Sequence, residues 1–148
     1  MQVRRYENGD LPGILRLCEA EVWPTFAEDP ARAHRVLTAP GVTTMVAVEG
    51  DRLIGFAQLQ SDGEIQAHLS VIVVDVTCRG RGIGRELIAA ALQEAGGLRV
   101  DLVTDTAEGF YDRLPRFRLS GFRLYPSYTG PDRDRPGLTW KNGRKVAG

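Results

Sequence analysis

The chain has 148 residues, 43% of them apolar and 26% charged, a balance that suits one soluble globular domain, 1–148, with a sizeable single core. Its formal net charge is zero, so no global electrostatic footprint points to nucleic acid or to an anionic membrane. Two cysteines, Cys18 and Cys78, are too few for a disulfide framework and lack metal or redox spacing, so a reduced, cytoplasmic setting is expected.

No apolar run approaches roughly 18 residues, and the N-terminus is charged from Arg4, so neither a membrane span nor a signal peptide is expected. Residues 3–6 read as a short first strand. Asp10 is a good N-cap, with Pro12 just inside the helix that follows. Leu11, Ile14, Leu15, Leu17 and Cys18 recur at helical spacing, and Pro24 is expected to end that helix. A second helix starts at Asp29-Pro30 and runs to about Thr38. Residues 43–49 and 53–60 are two strands joined by a tight turn at Gly50-Asp51. Ser61-Asp62-Gly63 turns the chain into a long strand over 65–76. Helix 83–95 is stopped by Gly96-Gly97. Further strands are expected at 98–104, from Gly121-Phe122 to about Tyr128, and over 138–141. A short helix covers 106–114, broken at Pro115, and the tail beyond about 142 is expected to fray. The order describes a mixed sheet with helices on its faces.

Between the long strand and helix 83–95 lies the string Arg79-Gly80-Arg81-Gly82-Ile83-Gly84-Arg85. Glycines let backbone approach a ligand closely and permit positive φ. The helix start adds N–H groups without intrahelical acceptors and the positive end of the macrodipole, a combination that favours phosphate. Gly84-Arg85-Glu86 lacks the Lys-Ser/Thr of a P-loop. A dinucleotide fingerprint fails because Leu87 stands where its third glycine belongs and three strands precede the turn.

Arg79-x-x-Gly82-x-Gly84 is similar to the acetyl-CoA pyrophosphate signature of the GNAT superfamily of N-acetyltransferases. The wider string from Val73-Val74 to Leu87 resembles that family too, without the proline often found where Val76 stands. Ala107-x-x-Phe110-Tyr111, then Gly121-Phe122, and the order of elements extend the resemblance over nearly the whole chain. It implies an α/β fold: a mixed, mostly antiparallel central sheet of six to seven strands, splayed in the middle, with about four helices on its faces.

The resemblance implies an acetyl-CoA-dependent N-acetyltransferase using direct transfer in a ternary complex. Backbone N–H groups of Gly80, Arg81, Gly82, Ile83, Gly84 and Arg85, with Arg79, would hold the CoA pyrophosphate. Ile72, Val73 and Val74 would pair with the pantetheine arm, and an N–H near Val74 would stabilise the oxyanion. Tyr111 would protonate the departing thiolate; packing as a core tyrosine is the alternative. Thr104 stands where relatives often have an asparagine that contacts CoA. Strict alternation puts Gln66, His68, Ser70 and Ile72 on one face of the long strand, and histidine is a residue type suited to general-base work, so His68 is a candidate base. Glu64 and Asp101 are rivals for that role.

The stretch from Leu114 to Ser120 is longer than the family's usual gap before Gly-Phe. Arg113, Arg116, Arg118 and Arg123 gather there, as a CoA-phosphate contact or as a solvated face. The resemblance implies that the acceptor is read mainly by the first two helices, their connection and the late strand loop. The helix connection carries Glu19, Glu21, Trp23, Phe26, Glu28 and Asp29, either a site for a cationic amine or a solvated helix end with two core aromatics. Tyr125 and Tyr128 are candidates for the opposite wall. The expected acceptor is a small-molecule or peptide amine, with no metal, no nucleic acid and no membrane; the resemblance is compatible with a homodimer. A non-catalytic acyl-CoA-binding module of the same fold is the competing function, and transfer of a longer acyl group a competing chemistry.

Overall fold

A computed structural model describes residues 1–124 and the strand backbones at 138–141 and 144–147. The chain divides into two compact units, Met1–Asp101 and Leu102–Gly148.

The first unit is built on a five-stranded sheet of order β1-β2-β3-β4-β5: β1 Gln2–Arg5, β2 Val42–Glu49, β3 Arg52–Ser61, β4 Gln66–Val74 and β5 Arg99–Asp101. The first three pairings are antiparallel; β4 and β5 pair in parallel through Gln66↔Arg99, Ala67↔Val100 and His68↔Asp101. Four helices belong to this unit: α1 Leu11–Ala20, α2 Pro24–Ala27, α3 Pro30–Leu37 and α4 Ile83–Ala95. The second unit contains α5, Glu108–Tyr111, and a two-stranded sheet of β6, Leu138–Lys141, and β7, Arg144–Ala147. The expected strand from Gly121 begins in residues with no regular structure, and its remainder, including Tyr125 and Tyr128, lies outside the described residues.

The architecture is the expected α/β fold with two corrections. Among the described residues the main sheet holds five strands where six to seven were expected, and five α-helices are present where about four were expected. The extra helix comes from Pro24, which opens α2. Proline has no N–H to leave unpaired and its fixed φ suits the first helical turn, so the residue that reads as a stop is also a good start. α1 is ended instead by a left-handed cap at Val22, φ 58°. Trp23 N–H reaches the Cys18 carbonyl at 2.8 Å and Val22 N–H the Glu19 carbonyl at 3.0 Å, the Schellman pattern with valine where glycine is usual.

One side of the sheet packs Ile14, Leu17 and Cys18 of α1 and Leu37 of α3 on Val46, Phe56 and Val73, with Trp23 and Phe26 partly buried against them. Full burial of Phe56 alone contributes on the order of 1.5–3 kcal/mol. On the other side, α4 turns Ile83, Leu87 and Ala91 inward. A Cβ at Gly55 would stand 3.0 Å from the Val73 carbonyl and 3.2 Å from Leu87 Cδ1, so the missing side chain lets α4 lie close on β3. Among the described residues no helix is long and apolar enough to cross a membrane.

Candidate active site

The site starts on β4. Its ladder with β3 slips between Gln58 and Leu59, so that Val71 faces Gln58, Leu69 faces Leu59, and Ser70 is the extra residue of a bulge. Directly opposed residues share a face. His68, opposite Gln60, therefore lies on the face of Val71 and Val73, which oppose Gln58 and Phe56, while Ile72 opposes Ala57 on the α4 side. The alternation that grouped His68, Ser70 and Ile72 is broken by this one residue. The Ser70 hydroxyl is buried and has no hydrogen-bond partner among the described residues.

Beyond His68 the ladder with β5 stops, so Ile72, Val73 and Val74 have a paired strand on their β3 side alone among the described residues. β5 itself ends at Asp101, opposite His68. At the end of β4, Asp75 donates its N–H to the Ile54 carbonyl at 2.8 Å and caps a 3-10 turn, Val76–Cys78, which is why β4 stops short of Val76. The Asp75 carboxylate, 7% exposed, accepts from the Thr77 hydroxyl at 2.7 Å, the Thr77 N–H at 3.0 Å, Arg52 at 2.6 Å and Arg16 at 3.3 Å. The Thr77 hydroxyl and N–H, then Arg16 and Arg52, hold its pKa down to about 2.

The glycine turn follows. Gly80 and Gly82 have φ 77° and 81°, the left-handed region, and a Cβ at either would meet nothing within 4 Å. Gly82 is the N-cap of α4. Among the described residues, no N–H from Gly80 through Arg85 has a backbone acceptor; the ladder begins with Glu86 N–H on the Gly82 carbonyl at 3.1 Å. Arg79 donates Nε to the Val74 carbonyl at 3.1 Å and its guanidinium to Glu21. Arg81 pairs with Glu49 at 2.6 Å, which lowers the Glu49 pKa. Arg85 is exposed with no recorded side-chain partner among the described residues. The result is an open, positively polarised cradle of unpaired N–H groups at the foot of a half-paired strand.

The candidate bases gather at the other end of β4. Gln66 Nε2 donates to Asp101 at 2.8 Å, beside His68 in the parallel register. His68 is exposed and makes no recorded hydrogen bond among the described residues, and Glu64 is exposed in the preceding turn. That turn is organised by Asp62, whose carboxylate accepts the N–H groups of Glu64, Ile65 and Gln66.

The second unit carries the other two residues. Thr104 Oγ1 accepts the Ala107 N–H at 3.0 Å, which sets the start of α5 and shortens the helix expected from Thr106. Tyr111 is half-buried, edge-on to Phe110 with ring centroids 4.9 Å apart, and burial pushes its phenol above the ordinary value. Arg118 pairs with Glu108 at 2.7 Å and Asp112 at 2.9 Å, and Arg116 with Asp112 at 3.1 Å; these are the pairs of an ordinary charged surface.

The sequence model of the Acetyltransferase (GNAT) family matches residues 9–114. The chain belongs to this family. Among curated proteins it is similar to mycothiol acetyltransferases of Rhodococcus opacus (strain B4), 39% identical over 119 residues, and Rhodococcus jostii (strain RHA1), 41% over 91 residues. These alignments cover 80% and 61% of this chain but 37% and 30% of the relatives, so the chain spans about a third of their length. Among solved structures, a Trypanosoma brucei acetyltransferase is 26% identical with a TM-score of 0.64, over 84% of this chain and 98% of that one. An aminoglycoside N-acetyltransferase, AAC(6')-Iy in complex with CoA, shares the fold at 20% identity and a TM-score of 0.70, over 84% and 92% of the two chains.

Within this GNAT chain the half-paired stretch of β4 leads into the glycine turn through the 3-10 turn Val76–Cys78. Three features lay beyond sequence reasoning. The β4 bulge falls on a serine, which carries no bulge signal. Asp75 finds its two arginines 59 and 23 residues away. Glu21 reaches Arg79 across 58 residues. The acidic stretch once set against a cationic acceptor is in part otherwise engaged: Glu21 holds Arg79, and Asp29 accepts the Arg32 N–H at 3.0 Å as the cap of α3.

Proposed function

We propose that the chain is an acetyl-CoA-dependent N-acetyltransferase that moves an acetyl group from the CoA thioester to a primary amine by direct transfer in a ternary complex. The observation that carries this reading is the cradle of unpaired N–H groups at Gly80–Arg85, set at the end of a strand whose edge has lost its neighbour. A pyrophosphate fits the cradle as an anion with many acceptors. The pantetheine arm fits the open edge at Ile72, Val73 and Val74, because its amides repeat like a strand.

In the transfer step the amine nitrogen bonds to the thioester carbon, the carbonyl electrons move to oxygen, and an N–H near Val74 holds that oxyanion. Collapse breaks the C–S bond. The ammonium proton passes to a base, for which His68, Glu64 and Asp101 are the candidates, and Tyr111 returns a proton to the CoA thiolate. A phenol pushed up by burial stays protonated at neutral pH, as a proton donor must. The Thr104 hydroxyl accepts from Ala107 and keeps its own hydrogen for a CoA contact. No thioester exchange onto cysteine is invoked: burial pushes the Cys18 thiol up to about 12. Two buried free cysteines also fit a reducing, cytoplasmic setting.

The names of the curated relatives direct the search for the acceptor to mycothiol chemistry, among small amines. Tyr111→Phe tests the assigned chemistry. Turnover should fall by roughly 10²-fold with acetyl-CoA affinity little changed; wild-type turnover would remove Tyr111 as the acid.

A further inference from the structure

Arg79 sits between two loyalties. Its Nε is bound to the Val74 carbonyl at the end of β4, and its guanidinium carries the Glu21 carboxylate from the far end of α1. Glu21 is the residue just before Val22, whose φ of 58° is the single positive value at a non-glycine residue among the described ones, and whose side chain is 67% exposed. A β-branched residue in the left-handed region is strained, and no burial of the side chain compensates it. The next residue is Trp23, packed on the core. The pair thus joins the glycine turn to a strained helix cap with an aromatic reporter beside it.

We propose that Glu21 is an internal counter-anion for the pyrophosphate cradle: in the empty protein it occupies Arg79, and an arriving pyrophosphate displaces it and releases the cap at Val22 and Trp23. The inference rests on the acetyl-CoA reading above and goes beyond it. Arg79 is the guanidinium that bridges strand end and turn, and a carboxylate and a phosphate cannot both take its best donor face. The pair is half-exposed, 51% at Arg79 and 32% at Glu21, so its rupture is inexpensive and ligand binding can drive it. Glu21 is therefore a positioning residue for the donor site, acting against the ligand and through Arg79.

The test is calorimetric titration of CoA into wild type, Glu21→Gln, Arg79→Gln and the double variant. Glu19→Gln serves as control, since it removes the same charge from the same helix end without touching Arg79. Glu21→Gln should bind CoA about two- to fivefold more tightly, the fold-change a half-exposed pair corresponds to. Glu19→Gln should bind as wild type, and Glu21→Gln should have no effect once Arg79 is Gln. In a Trp140→Phe background, CoA should shift Trp23 emission, and Glu21→Gln should show part of that shift without CoA. Weaker CoA binding by Glu21→Gln would overturn the inference, because Glu21 would then be orienting Arg79 for the ligand. Equal tightening in Glu19→Gln would overturn it as a general charge effect. Wild-type protein without CoA affinity would overturn the underlying reading together with the inference; wild-type affinity with an unchanged Glu21→Gln would overturn the inference alone.

Discussion

Gly82→Ala separates the conformational work of the glycine turn from its work as a ligand cradle. Gly82 has φ 81° and open space where a Cβ would stand; Gly63, in the turn before β4, has φ 82° and equally open space. An L-residue in the left-handed region costs about 1–2 kcal/mol. Restricting the unfolded chain returns about 0.4–1 kcal/mol of that. Each variant should therefore lose at most roughly 1.6 kcal/mol, or at most about 6 °C in Tm for a chain of this size. The two should melt alike. They should not bind alike. A Cβ at Gly82, the N-cap of α4, would take up open space at the helix start where phosphate oxygens would meet the free N–H groups. Loss of one charge-assisted hydrogen bond, about 1.5–3 kcal/mol, corresponds to a Kd raised about ten- to hundredfold. Calorimetric titration of CoA and scanning calorimetry on both variants give the comparison. Equal CoA affinity in Gly82→Ala and Gly63→Ala would refute the assignment of the cradle to pyrophosphate.

Val22→Gly removes a strained left-handed valine at an exposed cap, so Tm should rise, by an amount corresponding to about 1 kcal/mol; a fall would mean that the valine side chain contributes packing the cap depends on. Asp75 has a folded pKa of about 2, below its ordinary 3.8. Its contribution to stability is complete above the ordinary value and is lost as pH falls through the folded one. Thermal melts from pH 7 down to about pH 2 should steepen over that window in wild type and flatten in Asp75→Asn, which should also melt lower at pH 7. An unchanged acid limb in the variant would contradict the Thr77–Arg16–Arg52 account.

Much of this was legible where local chemistry is decisive. Helix α4 has the expected bounds because Gly82 and Gly96 mark its two ends and the apolar positions between them keep one period. The β2–β3 hairpin and α3 follow from Gly50-Asp51 and Asp29-Pro30, signals that serve one purpose each. Pro24 served two purposes, stop and start, and the stop was the wrong choice. Val22 carried no cap signal, since glycine is the usual mark of a left-handed C′ residue. The face of His68 was misplaced because an inserted residue reverses the alternation downstream of it, and Ser70 gives no warning. Partners such as Glu21 with Arg79 depend on the tertiary fold alone. The turn, the half-paired strand and the Phe110-Tyr111 pair were readable; their electrostatic environment was not.

The central claim is acetyl transfer to an amine, and one assay meets it directly. Purified protein is incubated with acetyl-CoA and a panel of primary amines that includes mycothiol-related amines, with thiol release followed continuously and products weighed by mass spectrometry. The account predicts stoichiometric CoA thiol and an acceptor heavier by one acetyl group for at least one amine, with release lost in the absence of acceptor. Tight CoA binding without thiol release across the panel would contradict it and make the chain a CoA-binding module.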